Sequence, residues 1–133
     1  MIVVDTNIIA YLLIKGEQTQ NAQQLLTYHP DWTAPALWRH EFLNILATFV
    51  NHGGVSTAQA LVLWQKAQSL MVNRELEISL SDALILAITS KISAYDAQFV
   101  ILAKNLNCPL ITEDKKLQKT VAEALSMQDF LTS

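Results

Sequence analysis

Apolar residues along the chain fall in short blocks, each bounded by residues that start or stop helices. The first block, Ile2-Val3-Val4, is β-branched and halts at Asp5-Thr6-Asn7, which predicts a strand handing over to a helix through the apolar run Ile8 to Ile14. Lys15 and Gly16 close that helix with a cation and a residue tolerant of positive φ. A second helix is expected over residues 17–28, then a brief extended piece at Trp32-Thr33-Ala34. Pro35 opens a helix running to His52, stopped by Gly53-Gly54. Ser56 or Thr57 caps a fourth helix to Val72, and Leu76-Glu77-Ile78 alternates as a candidate strand. Ser81 starts an apolar helix through Ile92 and Ser93 another through Leu106, with Ala97, Val100, Ile101 and Ala103 on its apolar face. Cys108 to Ile111 reads as a buried strand ending in Thr112-Glu113-Asp114, followed by a short basic helix and a last strand near Leu125 to Met127.

Short strands separated by helices predict one α/β domain over residues 1–133, with a short, mostly parallel central sheet flanked by helices. Ligand sites in such sheets lie beyond the carboxyl ends of the strands, where Asp5 and Asp114 both fall. With 51% hydrophobic and 16% charged residues the chain has the composition of a packed domain and not of a disordered one. The longest apolar run is seven residues, far short of the roughly 20 that span a bilayer, so no membrane association is expected. The start lacks the basic region of a signal peptide, and Cys108 is the only cysteine; both suit a cytoplasmic protein.

Composition also removes several chemistries. The glycines are Gly16, Gly53 and Gly54, so no dinucleotide loop, phosphate loop or nucleophile elbow can be written. His29, His40 and His52 show no ligand spacing with one another or with Cys108, which argues against zinc. A net charge of −3 argues against a diffuse basic nucleic-acid coat, though not against an enzyme that concentrates its acids around a metal ion.

The acids therefore carry the question. Asp5 can cap the helix that follows it or aim a carboxylate out of the sheet top at a cation, leaving Thr6 and Asn7 to cap. Asp96 stands at the acidic end of a capping-box pattern, Ser93-Ala94-Tyr95-Asp96. Thr112 can cap the basic helix while Glu113 and Asp114 complement its dipole. Asp82 has only a helix-start explanation. Glu41 flanks an apolar stripe of Trp38, Phe42, Ile45 and Phe49, with no evident partner on that face and with Arg39 and His40 pointing elsewhere; a carboxylate so placed is costly unless paired or bound to a cation. Several acids gathered at one sheet top would repel unless divalent cations shared their oxygens, and hard all-oxygen sites suit Mg²⁺ or Mn²⁺.

Three motifs in order, Val-Val-Asp-Thr-Asn from Val3 to Asn7, Ser-Ala-Tyr-Asp-Ala from Ser93 to Ala97, and Pro-Leu-Ile-Thr-Glu-Asp-Lys-Lys-Leu from Pro109 to Leu117, together with Glu41, resemble the PIN domain, and most of all the VapC-type toxin ribonucleases of toxin–antitoxin systems. The resemblance implies that Asp5, Glu41, Asp96 and Asp114 form an acidic catalytic and metal-binding cluster, supported by Thr6, Asn7 and Thr112. It implies metal-dependent hydrolysis of RNA phosphodiesters, a cognate antitoxin protein as partner, and a homodimer. Lys115, Lys116 and Lys119, with Lys15 and Arg39, are candidate phosphate contacts, and Tyr11 or Tyr95 a candidate base-stacking ring. The apolar segments Leu61–Trp64 and Leu84–Ile88 are candidates for self-association, and the helices around 17–28 and 35–72 for receiving an antitoxin segment. A non-catalytic α/β interaction module, whose acids are only helix caps, and a DNA-directed nuclease of the same fold are the competing readings.

Overall fold

The computed structural model describes residues 1–133. Its elements follow in the order β1 (Ile2–Val4), α1 (Thr6–Leu13), α2 (Thr19–Tyr28), β2 (Trp32–Thr33), α3 (Leu37–Asn51), α4 (Thr57–Met71), α5 (Leu80–Ser90), α6 (Ala94–Leu106), β3 (Leu110–Ile111), α7 (Lys115–Thr120), β4 (Ala124–Leu125) and α8 (Met127–Thr132). The four strands form one all-parallel sheet in the order β2-β1-β3-β4. No helix is long and apolar enough to cross a bilayer.

β1 runs through the middle of this sheet, and its three residues are buried on both faces, as an unbroken β-branched run requires. Strand order gives the sheet its functional polarity. From β1 the chain crosses to β2 on one side and then to β3 on the other, so the direction of winding reverses between β1 and β3. Crossovers diverge at such a point and leave a crevice at the carboxyl ends of the two strands.

The core is a single main cluster that joins Ile8 and Ile9 of α1, Phe42 of α3, Met71 of α4 and Leu102 of α6 to the sheet residues Val3 and Leu110. Trp38, Phe42 and Trp64 pack their rings together beneath α3 and α4, with centroids 5.8–6.4 Å apart. Gly53 ends α3 with φ at 77°, and a side chain on Gly54 would lie 2.8 Å from the Phe49 ring, so both positions need glycine.

Several expectations are corrected. Leu76-Glu77-Ile78 is not a strand; pairing with the sheet edge stops at one bridge just before it, Ala34 to Glu75, where the Glu75 carboxylate accepts from Trp38 and Arg39. The buried stripe of α3 is Trp38, Phe42 and Leu46, while Ile45 is only half-buried and Phe49 exposed. The fifth helix is capped by Ser79, whose hydroxyl accepts from the Asp82 amide, so Ser81 lies within its first turn. Residues after β4 form α8, not further strand, with Ser126 as cap.

Candidate active site

The crevice between β1 and β3 opens into a cavity of about 470 Å³ whose lining includes Asp5, Glu41 and Asp96. Each acid arrives from a different element. Asp5 is the first residue beyond β1, Glu41 sits one turn into α3, and Asp96 lies in the first turn of α6. Neither lysine nor arginine lines the cavity.

Asp5 does cap α1, its Oδ1 accepting the Ile8 amide at 3.2 Å, and it faces the cavity as well, so the two readings of this residue are not exclusive. Thr6 and Asn7 do not cap. The Thr6 hydroxyl, buried, donates to Glu41 Oε1 at 2.6 Å and so supplies the partner that sequence could not identify for Glu41. Asp96 departs from the capping box: the Ser93 hydroxyl accepts the Asp96 amide at 2.9 Å, but the Asp96 carboxylate does not return a bond to the Ser93 backbone; it stays beside the Ser93 side chain and lines the cavity. At the fourth helix the box does close, between Ser56 and Gln59, so the contrast is local.

Asp114, not Thr112, caps α7, with Oδ1 accepting the Leu117 amide at 3.0 Å. It lies outside the cavity lining but near enough to Asp96 to repel it. Thr112 is fully buried beyond β3; its hydroxyl accepts the Asp114 amide at 3.1 Å and also faces Asp5. One threonine thus links the two strand-end acids, Asp5 and Asp114.

The electrostatics follow from burial without a counter-charge. Burial pushes the Asp5 carboxyl up to about 7, against the Thr112 hydroxyl and Ile8 amide that favour its ionised form, and Glu41 and Asp96 add repulsion. Glu41 is raised by burial and by Asp96, with the Thr6 hydroxyl opposing. Asp96 is raised by burial and then by Asp114. Three neighbouring carboxyls displaced in one direction mark a site that is deficient in positive charge.

These oxygens form a hard donor set with no cation of the chain's own to neutralise it, which fits a divalent ion of the Mg²⁺ or Mn²⁺ type. As the side chains stand, no three acidic, histidine or cysteine groups converge on one point, so such an ion would keep water among its ligands.

None of the cations expected nearby lines this cavity. Arg39 pairs with Glu75 beside a separate depression, because its side chain leaves α3 on the side away from Glu41. Lys15 lines two neighbouring cavities, and Lys115, Lys116 and Lys119 are exposed on α7. His40 and Asn44, by contrast, line the acidic cavity, correcting the expectation that His40 points away; adjacency and helical spacing to Glu41 were the available signal. Tyr95 lines it too, whereas Tyr11 is half-buried over a neighbouring cavity.

Comparison with known proteins agrees with this geometry. A family model described as the PIN domain matches residues 2–123. The chain is 28% identical over 120 residues to ribonuclease VapC3 of Pyrobaculum aerophilum, covering 87% of this chain and 91% of that protein. Its fold is similar to the crystal structure of PAE2754 from Pyrobaculum aerophilum, with a TM-score of 0.80 and 21% identity over 98% of this chain and 93% of the other.

Proposed function

The chain belongs to the PIN-domain family, and on that premise we propose that it is a Mg²⁺- or Mn²⁺-dependent endoribonuclease serving as the toxin of a type II toxin–antitoxin pair. The observation that carries this reading is the meeting of Asp5, Glu41 and Asp96 over one cavity that no lysine or arginine lines. Similarity to a VapC ribonuclease directs the reading toward RNA.

A bound divalent ion would neutralise a phosphodiester, lower the pKa of attacking water and stabilise the leaving oxygen. Asp5 and Asp96 are assigned as its direct holders, with Glu41 and Asp114 holding it directly or through water. Thr6 keeps Glu41 in place by donating to Oε1, which leaves the other carboxylate oxygen for the cavity. Thr112 keeps Asp5 and the start of α7 together, so the acids beyond β1 and β3 stay in fixed register. Asn7 borders the same cavity, an amide within reach of a phosphate or a carboxylate. Burial with no cation of the chain nearby pushes the Asp5 carboxyl up to about 7, and a divalent ion held there would favour its ionised form.

Two surface features support the partners. The acidic cavity adjoins a second of about 530 Å³ at Asn7 and Ile45, and that one adjoins a third of about 610 Å³ at Ile14, Lys15 and Phe49. The resulting groove between α1 and α3–α4 suits an antitoxin segment that lays an amphipathic helix along it and reaches the acids with an arginine. On α5, Leu80, Leu84, Ile85 and Ile88 are each more than half exposed, an apolar face that suits a homodimer. Sequencing RNA ends after brief expression tests the proposal: new ends at a small set of sites, absent when Asp96→Asn is expressed, are expected. An unchanged end profile on expression of the wild type would refute it.

A further inference from the structure

The rim of the acidic cavity carries four uncommitted polar side chains, Asn7, His40, Asn44 and Tyr95, all of them exposed. Tyr95 is 62% exposed although it is among the largest residues of the chain. It is paired with no other ring, and neither is His40. None of the four side chains takes part in the hydrogen bonds that hold the fold together, so all keep their donors, acceptors and ring faces free. The two rings reach the mouth from different elements, Tyr95 from the first turn of α6 beside Asp96 and His40 from α3 beside Glu41.

A strand whose phosphate sits at the acids must lay its neighbouring nucleotides across this rim. A rim built to hold it by phosphate charge would carry lysine or arginine, and this lining has neither. Aromatic faces and amide groups instead suit bases, which stack on any flat ring and present hydrogen-bonding edges only when unpaired. A duplex hides both the faces and the edges. We infer that Tyr95 is the base-stacking residue of this site, with His40 bracketing the mouth from the other side, and that together they select single-stranded segments at the scissile phosphate. This rests on the nuclease reading above and adds to it the residues that choose the substrate's conformation.

The test is binding without metal, so that it reads recognition and not catalysis. Wild type, Tyr95→Phe, Tyr95→Ala and His40→Ala are titrated in EDTA against a fluorescently labelled single-stranded RNA of about 12 nucleotides, within the range such sites contact, and against the same RNA annealed to its complement. Tyr95→Phe keeps the ring and binds the single strand as wild type does. Tyr95→Ala weakens it about tenfold, in line with the loss of one stacked base, and leaves the weaker duplex binding unchanged. His40→Ala weakens the single strand as well, by a smaller factor. Oligonucleotides with one abasic position, moved stepwise along the strand, reveal a position whose loss weakens wild type about tenfold and does not weaken Tyr95→Ala further. Equal single-strand affinity of Tyr95→Ala and wild type, an equal loss in Tyr95→Phe, or a wild type with no preference for single strands would each overturn the inference. Cleavage by wild type with Mg²⁺ is scored separately: its absence refutes the nuclease reading, whereas cleavage with unaltered Tyr95→Ala binding refutes only the stacking role. Tyr95 is exposed, so a thermal melt matching wild type confirms that the alanine variant is folded.

Discussion

Replacing Asp5 by asparagine should stabilise the metal-free protein, and by an amount that depends on pH in a defined direction. The Asp5 carboxyl lies at about 7 in the folded chain against an ordinary 3.8. A raised folded-state pKa means that the folded chain holds a proton the unfolded chain has released. Its contribution is fully present below pH 3.8 and is lost as pH climbs toward 7. Over that interval the difference corresponds to about 4 kcal/mol, part of it shared with Glu41 and Asp96, so a gain of roughly 2–4 kcal/mol is expected for Asp5→Asn in mildly alkaline buffer. Asparagine retains an oxygen for the Ile8 amide and a polar group for Thr112, so the cap and the β1–β3 link survive. Urea denaturation in EDTA, from about pH 4 to about pH 8, measures it. The wild type should lose stability across the range, the variant should lose less because only Glu41 and Asp96 still carry raised values, and the two curves should meet at the acidic end. Adding Mg²⁺ should then raise wild type at alkaline pH and leave the variant unmoved. A variant no more stable than wild type at the alkaline end, or a constant gap at every pH, would show that Asp5 is not an uncompensated buried acid.

Three further outcomes follow from the packing. Glu75→Ala strips the acceptor from the buried Trp38 Nε1 and from Arg39, and should cost about 1–3 kcal/mol in denaturation; because Arg39 holds the Glu75 carboxyl below its usual range, that share of wild-type stability should vanish on acidification through the lowered value, the opposite sign to Asp5. Trp32→Phe removes a buried indole N–H that has no acceptor, so it should change stability by less than about 1 kcal/mol, where a well-satisfied buried tryptophan would lose several. Leu84→Glu on the exposed face of α5 should convert a dimer to monomer in sedimentation velocity with an unchanged melt; a wild type already monomeric at tens of micromolar, about the range of weak interfaces, removes that partner from the account.

The features legible in the sequence were those whose cause is local. The run Ile2-Val3-Val4 before a helix-starting cluster, and a serine three residues before Gln59 or Asp96, act within a single turn, so β1 and the starts of α1, α4 and α6 lie where the pattern put them. The four candidate acids stand out in the sequence by motif resemblance, by strand-end or helix-start position and, for Glu41, by flanking an apolar stripe; three line one cavity and the fourth, Asp114, lies near enough to Asp96 to repel it. What could not be read depends on contacts between distant segments. The Thr6 to Glu41 bond spans 35 positions, and the Glu75 clamp on Trp38 and Arg39 spans 36 or 37. That clamp holds Arg39 beside Glu75 and away from the acidic cavity. The rim residues His40 and Asn44 were missed for the same reason, since which side of α3 faces the sheet top depends on where α1 and α6 pack.

The most direct test of the central claim, that these acids form a metal-dependent phosphodiesterase centre, is the rate of cleavage of one single-stranded RNA by purified wild type and folded Asp96→Asn, each with Mg²⁺ and with chelator. Asp96 caps no helix with its carboxylate, so its loss reports on the site and not on the fold. Cleavage by wild type in Mg²⁺, abolished by chelator and reduced roughly a hundredfold or more in Asp96→Asn, is the predicted result. Cleavage that persists in chelator, or an Asp96→Asn protein as active as wild type, would contradict it.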